Sequence, residues 1–191
     1  MSVSHDAPRA LYAQLLGASW CELAEPLRRL HASDTTVRAR GRLRITHGRG
    51  RFARLLARLL RLPRQNDSAD AQLIITHNAN AEQWRRSFDE RHLDTDQYAS
   101  GNRELAERFG VLEFRFRLEA IAGVLHYQQL GVALVIGSFR VRLPDACAPL
   151  VDAREEASGP RQLQIRVSVA IPALGPVLTY DGAVDIEAAA A

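Results

Sequence analysis

The chain has 191 residues, of which 47% are hydrophobic and 25% charged, and these values predict one globular domain over residues 1–191 with a sizeable core. All 25 cationic residues are arginine, so chemistry through a lysine Schiff base or a lysine general base is excluded. The net charge of +3 is too small to indicate nucleic-acid binding, and we predict no nucleic-acid partner.

The cysteines and the apolar stretches predict a cytoplasmic protein. Cys21 and Cys147 are far apart and show neither CxxC nor metal-ligand spacing, so we expect buried thiols in a reducing compartment. The opening residues SVSHDAPR contain no apolar run that would predict a secretory signal. The longest apolar stretch, residues 131–137, is far shorter than the ~18 residues of a membrane helix.

The sequence contains no motif that is typical of a metal or cofactor site. Its six histidines form no HxH, HExxH or other dense metal-binding pattern. It also lacks a dinucleotide-binding glycine fingerprint, a P-loop and a GxSxG nucleophile motif. We therefore predict no metal and no cofactor.

The first thirty residues have the apolar spacing of a helical segment. Leucines and a tryptophan recur at intervals of three to five residues, and Gly17 and Pro26 are expected to divide the segment. His31 follows, and we expect it to lie at a helix end, where a cation is favoured. A catalytic base is the alternative role for His31.

Residues 36–47 alternate with period two and predict a half-buried strand. Small and apolar residues face one way, and four arginines face the other: Arg38, Arg40, Arg42 and Arg44. Such a row of guanidinium groups could follow the phosphates of a nucleic acid. Because no aromatic residues are interleaved for base stacking, we favour a solvated outer face.

Residues 48–63 predict an amphipathic helix that Pro63 ends. Its apolar stripe consists of Phe52, Leu55, Leu56, Leu59 and Leu60, and its basic stripe of Arg51, Arg54, Arg58 and Arg61. We expect the leucine side to pack on the protein's own sheet. The alternative is that the helix at residues 50–61 lies on an anionic membrane surface.

After a polar loop at residues 63–70, short runs with turn residues between them predict a mainly β protein. We expect about ten antiparallel strands in a curved or closed up-and-down sheet, with the helical segments packed on it. The predicted strands are 71–78, 83–91, 93–100, 103–109, 112–121, 124–130, 132–143, 150–157, 162–171 and 177–186.

Two charged residues interrupt apolar strand faces and are expected to meet. Arg86 lies between Trp84 and Phe88 on one predicted face, and Glu107 lies between Leu105 and Phe109 on another. An ionised group is rarely left unpaired away from water, because the cost is several kcal/mol. The alternation therefore predicts an inward-facing Arg86–Glu107 pair, with a structural role or as the anchor of a ligand's polar end.

Other candidate site residues are less specific. His126 is expected to be a hydrogen-bonded histidine in or near the core, and it lies next to Tyr127. Tyr180, Trp84 and His31 are further candidate ligand contacts.

Several segments resemble a bacterial family of uncharacterised, YndJ-like domains. They are LYAQLLG, LRRLH, GRLRITHGRGRFARLLARLLRLP, EQWRRSF, ERFGVLEFRF, RLPDACAPLVDAREE and VAIPALGPVLTYDG, and they cover nearly the whole chain in order. Such domains occur alone or fused to saccharopine-dehydrogenase-like or membrane segments. The resemblance implies no activity. It implies that the family pattern includes His31, Trp84, Arg86, Phe88, Glu107, Phe109, Gly110, Tyr180 and Gly182, and it suggests a dehydrogenase-like protein partner.

These observations favour a binding module for an apolar or amphipathic small molecule, such as a lipid-like compound or a biosynthetic intermediate. The helix at residues 52–60 would act as a lid over an interior cavity. One alternative is an enzyme that acts on such a ligand, with Arg86, Glu107, Tyr180 or His126 as acid, base or anchor. Another is an accessory module for a dehydrogenase-like partner.

Overall fold

The structure is a computed structural model that describes residues 10–32, 36–78, 80–101, 103–172 and 174–187, without the side chain of Phe52. Its helices are α1 (Leu11–Leu16), α2 (Glu25–His31) and α3 (Arg51–Leu59), and a 3₁₀ turn, Gly17–Glu22, joins the first two. Its strands are β1 (Val37–His47), β2 (Asn66–Asn78), β3 (Ala81–Phe88), β4 (Arg91–Ala99), β5 (Glu104–Phe109), β6 (Leu112–Ile121), β7 (Val124–Ile136), β8 (Phe139–Arg142), β9 (Leu150–Ala157), β10 (Gln162–Ile171) and β11 (Gly175–Ile186).

Ten of the strands form a closed antiparallel barrel. Strands β1 to β7 pair in chain order, β7 pairs with β9, and β10 and β11 continue the series. Strand β11 pairs with β1 and closes the ring. Among the described residues β8 pairs with the end of β7 alone, outside the ring. The predicted curved or closed up-and-down sheet of about ten strands is confirmed.

The two ends of the barrel differ in what covers them. At the end where β1 begins, here called the closed end, α1, α2 and the 3₁₀ turn bury Leu11, Leu15, Leu27 and Leu30 against the strands. The Ala24 amide donates to the carbonyl of Gly123 in the β6–β7 turn over 3.1 Å, which fixes this cover in place. At the opposite end, here called the open end, β1 runs into α3.

Helix α3 packs through its small residues, and this corrects the expectation that its leucine side would be buried. Ala53 and Ala57 are buried one turn apart, because their short side chains let the helix approach the ends of β1 and β11. Leu56 is only half-buried. Leu55 and Leu59 are 52% and 71% exposed.

The strand boundaries differ from prediction at β2 and β7. Strand β2 begins at Asn66, inside the predicted loop, because residues 66–71 pair with β1 and bury Ala69. Gly131 is not a turn: β7 continues through it as the partner of Arg115, with one extra residue accommodated as a bulge. At both places the pairing with a neighbouring strand sets the extent of the strand. The polar residues before β2 and the glycine within β7 do not end it.

The outer face of β1 is solvated, as favoured. All four of its arginines are exposed, and Arg40 and Arg42 form surface ion pairs with Glu187 and Asp70 at 2.6 and 3.4 Å. On the inner face, a Cβ at Gly41 would lie 2.0 Å from the Ala183 carbonyl oxygen, so only glycine permits this approach of β1 and β11.

The expectation of buried thiols was wrong, because Cys21 and Cys147 are both exposed. Cys21 lies in the 3₁₀ turn, and Cys147 lies in the connection between β8 and β9.

Candidate ligand-binding cavity

The interior of the barrel contains a cavity of about 170 Å³. Period-two alternation brings apolar side chains from nearly every strand of the ring to its wall, because the outward residues take the polar positions. Near the open end the lining side chains Phe109, Leu112 and Ile171 are partly exposed, whereas Trp84 and Phe116 at the other end of the cavity are buried. The cavity therefore communicates with solvent at the open end and has its floor at the closed end.

An ion pair crosses the middle of the cavity wall, as the alternation predicted. The Nη2 atom of Arg86 donates to Glu107 Oε1 over 3.0 Å, and Nη1 donates to Thr95 Oγ1 over 2.9 Å. The guanidinium carbon lies 4.6 Å from the centre of the Trp84 ring, in the range of a cation–π contact. These contacts come from β3, β4 and β5, so three consecutive strands fix the guanidinium.

Tyr180 faces the same part of the cavity from β11. Burial raises the pKa of its hydroxyl to about 12, even though Arg86 acts to lower it. Burial acts to lower the pKa of Arg86, but Tyr180 and Glu107 outweigh burial and raise it. Because Tyr180 is un-ionised at neutral pH, the negative charge that faces Arg86 is that of Glu107.

The floor of the cavity rests on a buried histidine between two acidic residues. His31 Nε2 lies 3.1 Å from Glu155 Oε2, and His31 Nδ1 lies 3.6 Å from Glu82 Oε2, which also accepts the Trp84 indole N–H over 2.9 Å. His77 Nδ1 lies 3.3 Å from the other oxygen of Glu82. The cluster joins α2, β2, β3 and β9 below the apolar cavity.

The charges of this cluster depend on each other. Burial alone would lower the pKa of His31, but hydrogen bonding to Glu155 and Glu82 raises it to about 9. Burial alone would raise the pKa of Glu82, but His31 and His77 lower it to about 2. His31 is therefore an imidazolium at neutral pH, with the Glu82 carboxylate as its counter-charge.

A chain of hydroxyl groups connects this cluster to the cavity. The Tyr127 hydroxyl donates to Glu155 Oε1 over 2.8 Å, the Tyr12 hydroxyl donates to Gln97 Oε1 over 2.7 Å, and the two hydroxyl oxygens are 3.0 Å apart. Burial raises the pKa of both tyrosines well above the ordinary value. Tyr127, Glu155 and Gln97 line the cavity, so the floor presents polar groups to anything bound there.

The structure brings five of the six predicted site residues to one connected region. Arg86, Glu107 and Tyr180 lie along the wall, Trp84 lies at the floor, and His31 lies directly behind it, with ring centres 5.7 Å apart. His126 does not belong to this region. It faces outward from β7, because its neighbour Tyr127 takes the inward position. His31 does end α2, as expected, but it is fully buried.

Sequence reasoning missed the acidic, amide and hydroxyl members of the floor, namely Tyr12, Glu82, Gln97, Tyr127 and Glu155. One signal was present for Glu82: it precedes Trp84 by two residues, so the alternation that placed Trp84 inside also places Glu82 inside.

None of the helices in the described ranges combines the length and the hydropathy of a transmembrane segment. Nor does any group of three or more His, Cys, Asp or Glu side chains in that part of the chain lie where it could hold a metal ion.

The fold and the cavity define a closed ten-stranded antiparallel barrel with an apolar interior and a charged floor. The chain belongs to the DUF4166 family, described as a domain of unknown function, and residues 23–184 match it. The resemblance to a family of uncharacterised domains is thereby confirmed at that level. No curated protein matches the chain.

Proposed function

We propose that this protein binds an apolar or amphipathic small molecule inside the barrel, with the polar end of the ligand at Arg86. The observation that carries the proposal is the combination of an apolar cavity, a charged pair on its wall and partly exposed lining residues at the open end. Apolar concave sites with a few convergent polar groups are the usual form of small-molecule pockets.

The size of the cavity limits the buried part of the ligand. A volume of about 170 Å³ is close to the engineered cavity of ~150 Å³ that takes up benzene. One ring or one short acyl chain therefore fits without a change in barrel shape, while a larger ligand would extend toward the open end. There Leu56 of α3 and Leu60, the residue that follows the helix, line the cavity, so α3 is the lid of this proposal.

The N–H donors of Arg86 suit an anionic polar end. A guanidinium carries five N–H donors, and the described side chains Thr95 and Glu107 engage one nitrogen each. The remaining donors suit a carboxylate, which arginine binds in two-point geometry. A ligand carboxylate at this position would compete with Glu107 for the guanidinium.

The test is a pair of tryptophan substitutions at neighbouring positions of β10. Val167 lines the cavity, and Arg166 faces solvent. We expect wild-type protein to bind hexanoate or benzoate in calorimetric titration, Val167→Trp to lose this binding, and Arg166→Trp to retain it. Arg86→Met should weaken hexanoate binding and leave 1-hexanol binding unchanged. Equal binding by both tryptophan variants contradicts the proposal.

The enzyme alternative is favoured by one observation, the Tyr127–Glu155–His31 chain at the cavity floor. A carboxylate hydrogen-bonded to an imidazolium is a proton donor and acceptor pair, and here it meets the cavity. Of the predicted acid–base residues, Arg86, Glu107 and Tyr180 also line the cavity, whereas His126 lies outside it. Mass spectrometry of a bound ligand recovered from D2O would detect turnover or exchange, and Glu155→Gln should abolish either.

A dehydrogenase-like partner would make the chain an accessory module, and co-purification of such a protein from the source cells is the test. Cytoplasmic location is proposed from the cysteine usage and is tested by cell fractionation.

A further inference from the structure

Exposed apolar side chains are concentrated at one end of the barrel. Of the ten large apolar side chains that are exposed among the described residues, nine belong to elements at or near the open end, and Ile121 is at the closed end. Isolated surface leucines need no explanation, but a group of them at one end of a molecule marks a contact surface.

These side chains come from separate segments that meet around the open end. Val111 is in the β5–β6 turn, Ile136 and Phe139 flank the β7–β8 turn, and Leu174 is in the β10–β11 turn. Following the strand order around the ring, the next element after the β10–β11 turn is α3. Exposed acidic side chains interrupt this apolar arc: Asp89 and Glu90 in the β3–β4 turn, Asp67 at the start of β2 and Asp145 in the β8–β9 connection.

Helix α3 adds a dense positive charge to the arc. Residues 48–65 contain six arginines and no acidic residue. Arg51, Arg54 and Arg58 are exposed together with Leu55 and Leu59, while Ala53 and Ala57 hold the helix against the barrel. The outward face therefore combines leucine and arginine side chains.

We propose that α3 and the apolar turns of the open end form a docking surface for an anionic lipid bilayer. Leucine side chains can enter the boundary between headgroups and acyl chains, while arginine stems bury and their guanidinium groups remain at the phosphates. Charge complementarity favours an anionic bilayer over a neutral one, because the six arginines of residues 48–65, which include no acidic residue, are attracted to lipid phosphates and gain nothing comparable from a bilayer without net charge.

The docking surface and the cavity share α3. Leu56 and Leu60 line the cavity, whereas Leu55 and Leu59 face outward, so a docked α3 would separate the bilayer from the cavity by one helix. Together with the proposed function, on which this step rests, the geometry points to a ligand that the open end receives from the bilayer.

The experiment is co-sedimentation of the full chain with vesicles. We expect binding to phosphatidylcholine vesicles that contain about one third phosphatidylglycerol, and no binding to phosphatidylcholine alone. Arg54→Gln/Arg58→Gln should weaken binding by about fivefold for each arginine, and about 0.5 M salt should reduce wild-type binding similarly. Leu55→Ser/Leu59→Ser should weaken it at least tenfold.

Matched controls are Ile121→Ser and Arg117→Gln, which change exposed residues away from the open end and should bind as wild type does. Equal sedimentation with neutral vesicles, or equal loss in the controls, overturns the proposal. A wild-type protein that stays in the supernatant also overturns it. If that protein forms oligomers and Leu55→Ser/Leu59→Ser abolishes them, the surface binds a second copy of the chain. Sedimentation with vesicles needs no ligand in the cavity, so Val167→Trp should bind vesicles as wild type does. Failure of the ligand-binding proposal can therefore be told apart from failure of the bilayer proposal.

Discussion

The two ends of the barrel bury different chemistry. At the closed end, helices cover a cluster in which His31, Glu82 and Glu155 are almost fully enclosed. At the open end, apolar side chains are left partly or largely exposed around a cavity. Buried charge must be partnered, so the closed end should tolerate little change. The exposed side chains of the open end should tolerate substitution without loss of stability, and their substitution should weaken binding instead.

The largest effect is expected from removing the central cation of the closed end. His31→Leu leaves Glu82 and Glu155 close together and buried without the imidazolium between them. Breaking a buried ion pair from one side costs about 3–5 kcal/mol, and we expect this loss in the free energy of unfolding measured by urea denaturation. His126→Leu, on the outer wall, is the control and should change stability by less than about 0.5 kcal/mol. Similar losses for both variants would remove the distinction between the cluster and the wall.

The second effect is a pH dependence specific to the closed end. The pKa of His31 is raised to about 9, above its unfolded value of ~6.5. Its contribution to stability is therefore fully present below a pH of ~6.5. It is lost as the pH rises through about 9, with a slope of at most ~1.4 kcal/mol per pH unit. Unfolding free energies measured between pH 6 and 10 should therefore fall in wild type and stay nearly level over this window in His31→Leu.

The same cluster also predicts a loss of stability at low pH. The pKa of Glu82 is lowered to about 2, below its unfolded value, so its contribution is present above ~4.3 and is lost as the pH falls through about 2. Glu82→Gln should reduce the acid-dependent part of the loss. A wild-type curve without either slope would show that the cluster is not ionised as described.

A third effect lies on the cavity wall, between the two ends. The Arg86 and Glu107 side chains are 12% and 17% exposed, so the cost of breaking the pair should fall near the lower end of the buried range, ~3 kcal/mol. Arg86→Met and Glu107→Gln should each destabilise, and the double variant should cost at least ~1 kcal/mol less than their sum. Additivity within ~0.5 kcal/mol would show that the two residues are not energetically coupled.

Local alternation was enough to predict the wall of the cavity but not its floor. Arg86 and Glu107 each stand between apolar residues on a strand face, and this pattern sufficed to predict their contact. His31 and Glu155 are 124 residues apart and belong to a helix and a strand. Their contact depends on how the N-terminal helices cover the barrel, which no local pattern specifies.

Sequence patterns also fail in two other places. Period two fails where both faces of a strand are apolar, and a helical apolar stripe fails where no part of the protein covers it. Around His126 the residues Val124 and Leu125 are both hydrophobic, so period two does not decide between His126 and Tyr127. In α3 the leucine stripe predicted the buried face, yet the helix packs through alanines. An amphipathic pattern predicts a hydrophobic face but not which partner covers it.

The smallest effect on stability is expected at the exposed leucines of α3. Leu59 is 71% exposed, so Leu59→Glu removes little buried area and should change the unfolding free energy by less than about 0.5 kcal/mol. Leu56 is half-buried and lines the cavity, so Leu56→Glu places a carboxylate against apolar side chains and should cost about 1–3 kcal/mol. Thermal unfolding of both variants measures this difference. Equal destabilisation would mean that the outer face of α3 is covered by the protein itself, whereas a stable Leu59→Glu with weakened vesicle binding assigns that face to a partner.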